Sequence, residues 1–90
     1  MLTKKIKIIL IEDNRLLREG IAELLKKQPD MNVVTTVGNG ENILTLIDEQ
    51  KPNLVLLDLG LRSQNSLHIV ILVKKDYPVV RIIVLDLILL

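Results

Sequence analysis

Acidic residues follow two strongly apolar stretches of this sequence, at the point where each stretch ends. Glu12 and Asp13 come directly after residues 8–11, and Asp58 comes directly after residues 54–57. Short, continuous apolar runs are typical of strands buried on both faces, where a charged group is costly. We therefore expect these acids at the carboxyl ends of strands, which is the edge where open parallel α/β sheets bind ligands.

Carboxylates gathered at one edge predict a site for a hard divalent cation. Asp86 lies late in a further apolar stretch and could reach the same edge. Each like-charged pair at ~4 Å costs ~4 kcal/mol at an effective dielectric of ~20, unless a cation or protons share the cluster. Mg²⁺ is the natural occupant because it prefers oxygen ligands. In the alternative interpretation, these acids are unconnected loop residues in water.

Composition limits the chain to one small domain and excludes several classes of function. Its 90 residues carry 12 Lys and Arg against 11 Asp and Glu, so no basic surface for nucleic acid is indicated. There is no Cys, which excludes disulfides and thiolate metal sites and is compatible with the cytosol. The amino terminus lacks a signal-peptide cleavage site, and the apolar carboxyl terminus is shorter than the ~20 residues that cross a bilayer. We expect a cytoplasmic protein without a membrane partner.

Strand and helix patterns alternate along the whole chain. One predicted helix separates each pair of consecutive strands, which indicates βαβ units, right-handed crossovers and a parallel sheet. The second strand contains polar residues, so we place it at an edge of the sheet. The predicted strands are 6–11, 31–37, a segment within 53–61 that ends at Asp58, and 79–87; the predicted helices are 15–28, 41–50 and 66–76.

Two of the predicted helices have recognisable amino-terminal caps. Asn14 can cap the first helix, which we expect to place Arg18 on its outer side. Asn65 or Ser66 can cap the third helix, which is apolar on nearly all sides and so should have more than one neighbour; His68 in its first turn is expected to face solvent. The expected inward stripe of the first helix is Leu17, Ile21, Leu24 and Leu25.

Three motifs together resemble the receiver domain of two-component response regulators. Residues 8–14 resemble the family's first strand with its acidic pair, and residues 52–61 resemble its phosphoacceptor strand. Residues 16–20 resemble the subgroup usually joined to a LuxR/NarL-type helix-turn-helix domain. The resemblance implies an α/β, doubly wound, flavodoxin-like sheet with strand order 2-1-3-4-5, of which residues 1–90 would form the amino-terminal portion.

The resemblance also implies roles for individual residues. Asp58 would be the phosphoacceptor, and Asp13 would bind Mg²⁺ directly. Glu12 would bind the ion directly or through water, and the main-chain carbonyl of Gly60 would be a further ligand. The phosphoryl donor would be a phosphohistidine on a sensor histidine kinase. The chain would catalyse at most its own phosphorylation, and it would not otherwise be an enzyme.

Three features depart from the family pattern. Asp86 stands at the switch position, where the family usually has Thr or Ser, and a carboxylate there repels a phosphoryl group. Residues 62–66 replace a loop that commonly contains Pro and Gly. The sequence stops at the fourth strand, so we expect a fragment of a longer protein, with any DNA contact made by a missing carboxyl-terminal domain. Its long apolar edge strand predicts self-association.

These departures keep two rival interpretations open. In the first, Asp86 and the unusual loop make a pseudo-receiver that works through protein contacts and takes no phosphate. In the second, the chain is a metal-dependent phosphohydrolase of the related doubly wound type. The second rival is weak because its members usually carry Asp-x-Asp on the first strand, whereas Glu12 and Asp13 are adjacent.

Overall fold

Strands and helices alternate along the chain, as the sequence pattern predicts. The computed structural model describes residues 5–62 and 64–86. None of the helices in these residues is long and apolar enough to cross a bilayer. The elements are β1 (Ile6–Ile11), α1 (Arg15–Lys26), β2 (Met31–Val37), α2 (Ile43–Gln50), β3 (Leu54–Asp58), α3 (Ser66–Asp76) and β4 (Arg81–Leu85).

The four strands form one parallel sheet in the order β2-β1-β3-β4. This order confirms the doubly wound, flavodoxin-like prediction and places the polar strand β2 at an edge. Ile11 pairs with Leu57, and Asp58 pairs with Leu85. The carboxyl ends of β1, β3 and β4 therefore share one edge of the sheet.

Apolar side chains cover both faces of the sheet, because successive residues of a strand point to opposite sides. Ile8 and Leu10 face α1, whereas Ile9 and Ile11 face α2 and α3. All four are buried, so β1 is the centre of the molecule. The larger cluster also contains Ile43, Ile47, Val55, Leu57, Leu61, Ile69, Val73 and Val80.

Helix α1 begins where the sequence predicts and ends earlier. The side chain of Asn14 accepts a hydrogen bond from the main-chain N–H of Leu17 at 3.0 Å, which confirms the cap. The helix ends at Lys26 and not at Gln28, because the residue before a proline avoids the helical conformation. The expected inward stripe is wrong at Leu24, which is 64% exposed, while Ala22 is buried in its place.

Helix α2 begins at Ile43, so the prediction that it starts at Glu41 is wrong. The side chain of Asn39 accepts a hydrogen bond from the main-chain N–H of Glu41 at 3.0 Å. This local turn competes with the helix for the same backbone groups and delays the first helical residue. Ile43 and Ile47 face the core as expected.

Helix α3 has the predicted bounds but is covered on one side only. Asn65 caps it by accepting a hydrogen bond from the N–H of Leu67 at 2.9 Å. Ile69 and Val73 are buried against the sheet and α2, so the helix has more than one neighbour, as expected, whereas Leu67 and Ile71 are exposed. The sheet and α2 cover a single stripe of the helix. His68 faces solvent, as predicted.

Strand β4 is shorter than predicted and lies at the second edge of the sheet. Residues 79 and 80 belong to a turn, which the ammonium group of Lys74 closes by donating to the carbonyls of Pro78 and Val80. The strand ends at Leu85, and residue 87 lies outside the described residues. Two of its apolar side chains remain 47% and 39% exposed: Ile83 and Val84.

Candidate metal centre

Three carboxylates from two neighbouring strands meet at the carboxyl edge of the sheet. One oxygen from each of Glu12, Asp13 and Asp58 lies within 4.8 Å of the others. Glu12 and Asp13 directly follow β1, and Asp58 is the last residue of β3. The parallel pairing of these strands brings residues about 45 positions apart in the sequence into one group. The expectation that these acids converge is confirmed.

The carboxylate of Glu12 is the buried member of this group. Its residue is 3% exposed, and its Oε2 atom has no hydrogen-bond partner. Burial raises the pKa of Glu12 from 4.5 to about 7, and the neighbouring carboxylates of Asp58 and Asp13 add to this increase. A buried, unpartnered carboxylate oxygen beside two further acids fits a hard divalent cation, which would replace the missing partner and offset the repulsion.

The backbone of Glu12 is fixed from two sides. Its N–H donates to the carbonyl of Val37 on β2 at 3.0 Å, and its carbonyl accepts from Nη1 of Arg18 at 2.7 Å. The prediction that Arg18 lies on the outer side of α1 is therefore wrong: the long side chain returns to the end of β1. Only a tertiary contact could reveal this role, because Arg18 looks like a solvent-exposed charge in the helical pattern.

The carboxylate of Asp58 is held by the loop that follows β3. Its Oδ1 atom accepts a hydrogen bond from the N–H of Gly60 at 2.9 Å. Its main-chain carbonyl accepts from the hydroxyl of Ser66 at 2.6 Å. Ser66, which the sequence offers only as a possible helix cap, is instead a buried link between α3 and the end of β3. The proposed ligand role of the Gly60 carbonyl stays a prediction.

Asp13 contacts the same loop from the other side of the group. Its Oδ2 atom accepts a hydrogen bond from the main-chain N–H of Arg62 at 2.9 Å. These residues are 49 positions apart in the sequence, and the motif pattern contains no signal for this bond.

Asp86 lies at the same edge but outside the carboxylate group. It directly follows β4 and is exposed, so the expectation that it lies within the strand is wrong. The group with oxygens close enough to share an ion comprises Glu12, Asp13 and Asp58 in the described part of the chain. The role of Asp86 as an atypical switch residue stays a prediction.

Comparison with known proteins agrees with this geometry. The model of the response regulator receiver domain matches residues 8–86, which include all three clustered acids. The chain belongs to the response regulator receiver domain family. It is a receiver domain of the two-component type, as the sequence motifs predict.

Similar proteins support the assignment at the level of sequence and fold. This receiver domain is 32% identical over 82 residues to the transcriptional regulatory protein DegU of Brevibacillus brevis, covering 91% of the chain and 35% of that protein. It is 31% identical to the response regulator protein VraR of Staphylococcus epidermidis, covering 89% of the chain and 38% of that protein. The chain thus spans little more than a third of these relatives.

A solved structure confirms the fold. The response regulator domain of CheB from Thermotoga maritima superposes with a TM-score of 0.83 at 24% identity. That match covers 92% of this chain and 61% of the CheB domain.

Proposed function

We propose that this receiver domain accepts a phosphoryl group on Asp58 from a phosphohistidine of a sensor histidine kinase. Glu12 and Asp13, together with Asp58 and the carbonyl of Gly60, would hold the Mg²⁺ ion that the reaction needs. The observation that carries the proposal is the group of three carboxylates, one of which has a buried and unpartnered oxygen. When bound, the ion supplies positive charge that offsets the acids and the incoming phosphoryl group.

Asp58 is arranged to act as a nucleophile. The N–H of Gly60 engages its Oδ1 atom and restrains the carboxylate. The other oxygen, Oδ2, would attack phosphorus in line as the N–P bond of the phosphohistidine breaks, and the ring, protonated on its second nitrogen, would leave as neutral imidazole. Asp58 is half-buried at the edge of the sheet, so a donor histidine can approach from solvent. The domain catalyses no step beyond its own phosphorylation under this proposal.

The output of the domain would be control of transcription. DegU, which is 32% identical to this chain, is a transcriptional regulatory protein. We infer that a DNA-binding portion outside this sequence acts on DNA and that the receiver acts in the cytoplasm. The new charge on Asp58 would change the contacts of the receiver with its partners. The 90 residues carry a net charge of only +1, which does not indicate a basic surface for nucleic acid.

Asp86 favours one alternative, a pseudo-receiver that works through protein contacts alone. A carboxylate at the carboxyl end of β4 would add a negative charge near an acylphosphate on Asp58. Repulsion between the two charges would disfavour phosphorylation if the exposed carboxylate of Asp86 turns toward the phosphoryl group. This alternative retains Mg²⁺ binding and loses phosphotransfer.

Mass spectrometry after incubation with Mg²⁺ and acetyl phosphate tests the proposal. We expect one phosphoryl group on the unsubstituted chain and none on Asp58→Asn. Asp48→Asn is the matched control because Asp48 is an exposed acid on α2, and it should label normally. In calorimetry, beryllofluoride should bind to the unsubstituted chain and to Asp48→Asn, and it should not bind to Asp58→Asn.

The same assay separates the receiver from the pseudo-receiver. Mg²⁺ binding without any adduct would favour the pseudo-receiver and contradict phosphotransfer. Asp86→Thr should then restore labelling if the carboxylate is the obstacle.

A further inference from the structure

The guanidinium group of Arg18 holds the peptide that joins the two acids after β1. Its Nη1 atom donates to the main-chain carbonyl of Glu12 at 2.7 Å, and this carbonyl belongs to the peptide between Glu12 and Asp13. We propose that Arg18 is a positioning residue for the candidate metal centre, because it fixes the orientation of this peptide. The inference rests on the proposed function, since it assigns a role at the same Mg²⁺ site.

The two polar groups of this peptide face different neighbours. The peptide is trans, so its carbonyl and its N–H point in opposite directions. The carbonyl of Glu12 points to Arg18 on α1, whereas the N–H of Asp13 faces the carboxylate of Glu12. The positive end of the peptide dipole therefore lies on the side of the acids, and the negative end lies on the side of the guanidinium group.

Loss of the arginine would free this one peptide and leave the preceding one held. The N–H of Glu12 donates to the carbonyl of Val37 at 3.0 Å, which does not involve Arg18. A freed peptide could turn its carbonyl oxygen toward the acids and add negative charge there. The same rotation would change where Glu12 and Asp13 present their carboxylates. Supporting hydrogen bonds of this kind are typically worth 10- to 100-fold in metal affinity, about the range expected here.

The position of Arg18 suits it to hold the peptide in place. Its side chain starts on α1, ends at the carbonyl after β1 and is half-buried. The guanidinium group also lies against the turn after β2, where a Cβ added at Gly38 would be 3.3 Å from Nη1. A charged donor makes a stronger hydrogen bond than a neutral one. Three elements therefore confine the group that fixes the peptide.

Positioning and simple charge predict opposite changes in Mg²⁺ affinity when Arg18 is removed. The guanidinium group is a positive charge beside a group of acids. Removing that charge makes the site more negative, which by itself favours binding of a cation. Weaker binding after its removal would therefore show that the orientation of the peptide outweighs the charge.

Isothermal titration with MgCl₂ of Arg18→Met and Arg15→Met tests the sign of the effect. Arg15 is the matched control because its ion pair with Glu19 on the same helix is exposed. At a temperature where both variants are folded, Arg18→Met should bind Mg²⁺ about tenfold more weakly. Arg15→Met should bind Mg²⁺ as tightly as the unsubstituted chain or more tightly. Unchanged or tighter binding by Arg18→Met would overturn the proposal.

A second measurement uses the unsubstituted chain and so does not depend on how a variant folds. If the bond from Arg18 favours Mg²⁺ binding, bound Mg²⁺ must strengthen that bond to the same extent. In ¹H–¹⁵N spectra, saturating MgCl₂ should slow the solvent exchange of the guanidinium protons of Arg18. The guanidinium protons of Arg15 should exchange at an unchanged rate. Exchange at Arg18 that is unchanged or faster would refute the coupling.

Two outcomes separate this inference from the proposed function. Absence of Mg²⁺ binding by the unsubstituted chain would refute the proposed function together with the role of Arg18. Normal Mg²⁺ binding by both the unsubstituted chain and Arg18→Met would refute the role of Arg18 alone.

Discussion

The guanidinium group of Arg18 donates a 2.7 Å hydrogen bond to the main-chain carbonyl of Glu12. This bond joins the first turns of α1 to the end of β1, where the acidic pair begins. Arg18 is half-buried, in contrast to the exposed Arg15 three residues earlier on the same helix. Arg18 makes a partly buried hydrogen bond, whereas Arg15 makes an exposed ion pair with Glu19, so the two residues can be compared directly.

We predict that Arg18→Met lowers the free energy of unfolding by about 1–2 kcal/mol, because it removes a charged donor from a partly buried carbonyl. Methionine keeps most of the apolar stem. Arg15→Met should cost about 0.5 kcal/mol or less, because the pair of Arg15 with Glu19 is exposed. Urea unfolding measures both values. Equal losses at the two positions would contradict the structural role of Arg18.

The raised pKa of Glu12 predicts a stability that falls as the pH rises. Its pKa is about 7 in the folded chain, against an ordinary value of 4.5. Below pH 4.5 the Glu12 carboxyl group is protonated in both the folded and the unfolded chain, so it does not make the free energy of unfolding depend on pH. Between these values the unfolded state loses its proton first, so stability declines up to about pH 7 and then levels off. The whole decline corresponds to roughly 3 kcal/mol.

Glu12→Gln provides the control for this pH dependence. Glutamine does not titrate, so the variant unfolding curves in EDTA should lack the decline that this group causes. Added Mg²⁺ should stabilise the unsubstituted chain more at pH 8 than at pH 5, because protons and the cation compete for the same carboxylates. A pH profile that is identical in the two proteins would contradict the burial argument.

Two glycines should respond to alanine in opposite directions. At Gly20, on the exposed side of α1, an added Cβ meets nothing within 4 Å, so Gly20→Ala should stabilise by about 0.5–1 kcal/mol. At Gly40, an added Cβ would lie 2.7 Å from Cδ1 of the buried Ile69, so Gly40→Ala should destabilise by about 1–3 kcal/mol. Thermal unfolding should separate the two by sign, and a shift in the same direction would refute the packing at Gly40.

The edge of β4 predicts self-association of the 90-residue chain. Arg81 donates its N–H to the carbonyl of Asn53 beside β3. Successive residues of a strand alternate in direction, so the main-chain groups of Val84 point away from β3, toward an edge without a neighbouring strand among the described residues. Val84→Lys places a charge on this apolar edge and should shift the chain toward monomer in sedimentation. Leu24→Lys, on the exposed side of α1, should leave association unchanged. A stable monomer of the unsubstituted chain at high concentration would contradict the prediction.

Much of the fold and the membership of the carboxylate group could be predicted from the sequence. Apolar runs and caps such as Asn14 are local signals, and they placed all seven elements with errors of a few residues at their ends. Because parallel strands end at one edge of a sheet, the sequence alone predicts that Asp13 and Asp58 lie close together. The family motifs depend on the same local patterns.

The supporting contacts of the site were decided by tertiary structure alone. The bonds from Arg18 to Glu12 and from Arg62 to Asp13 depend on where a long side chain and a loop backbone lie after packing. Helical periodicity also assigned Leu24 to the core, because a pattern of residue types cannot tell which side of a stripe the sheet will cover. Local order follows from neighbouring residues in the chain, whereas these bonds arise between groups that only the packed sheet brings within reach.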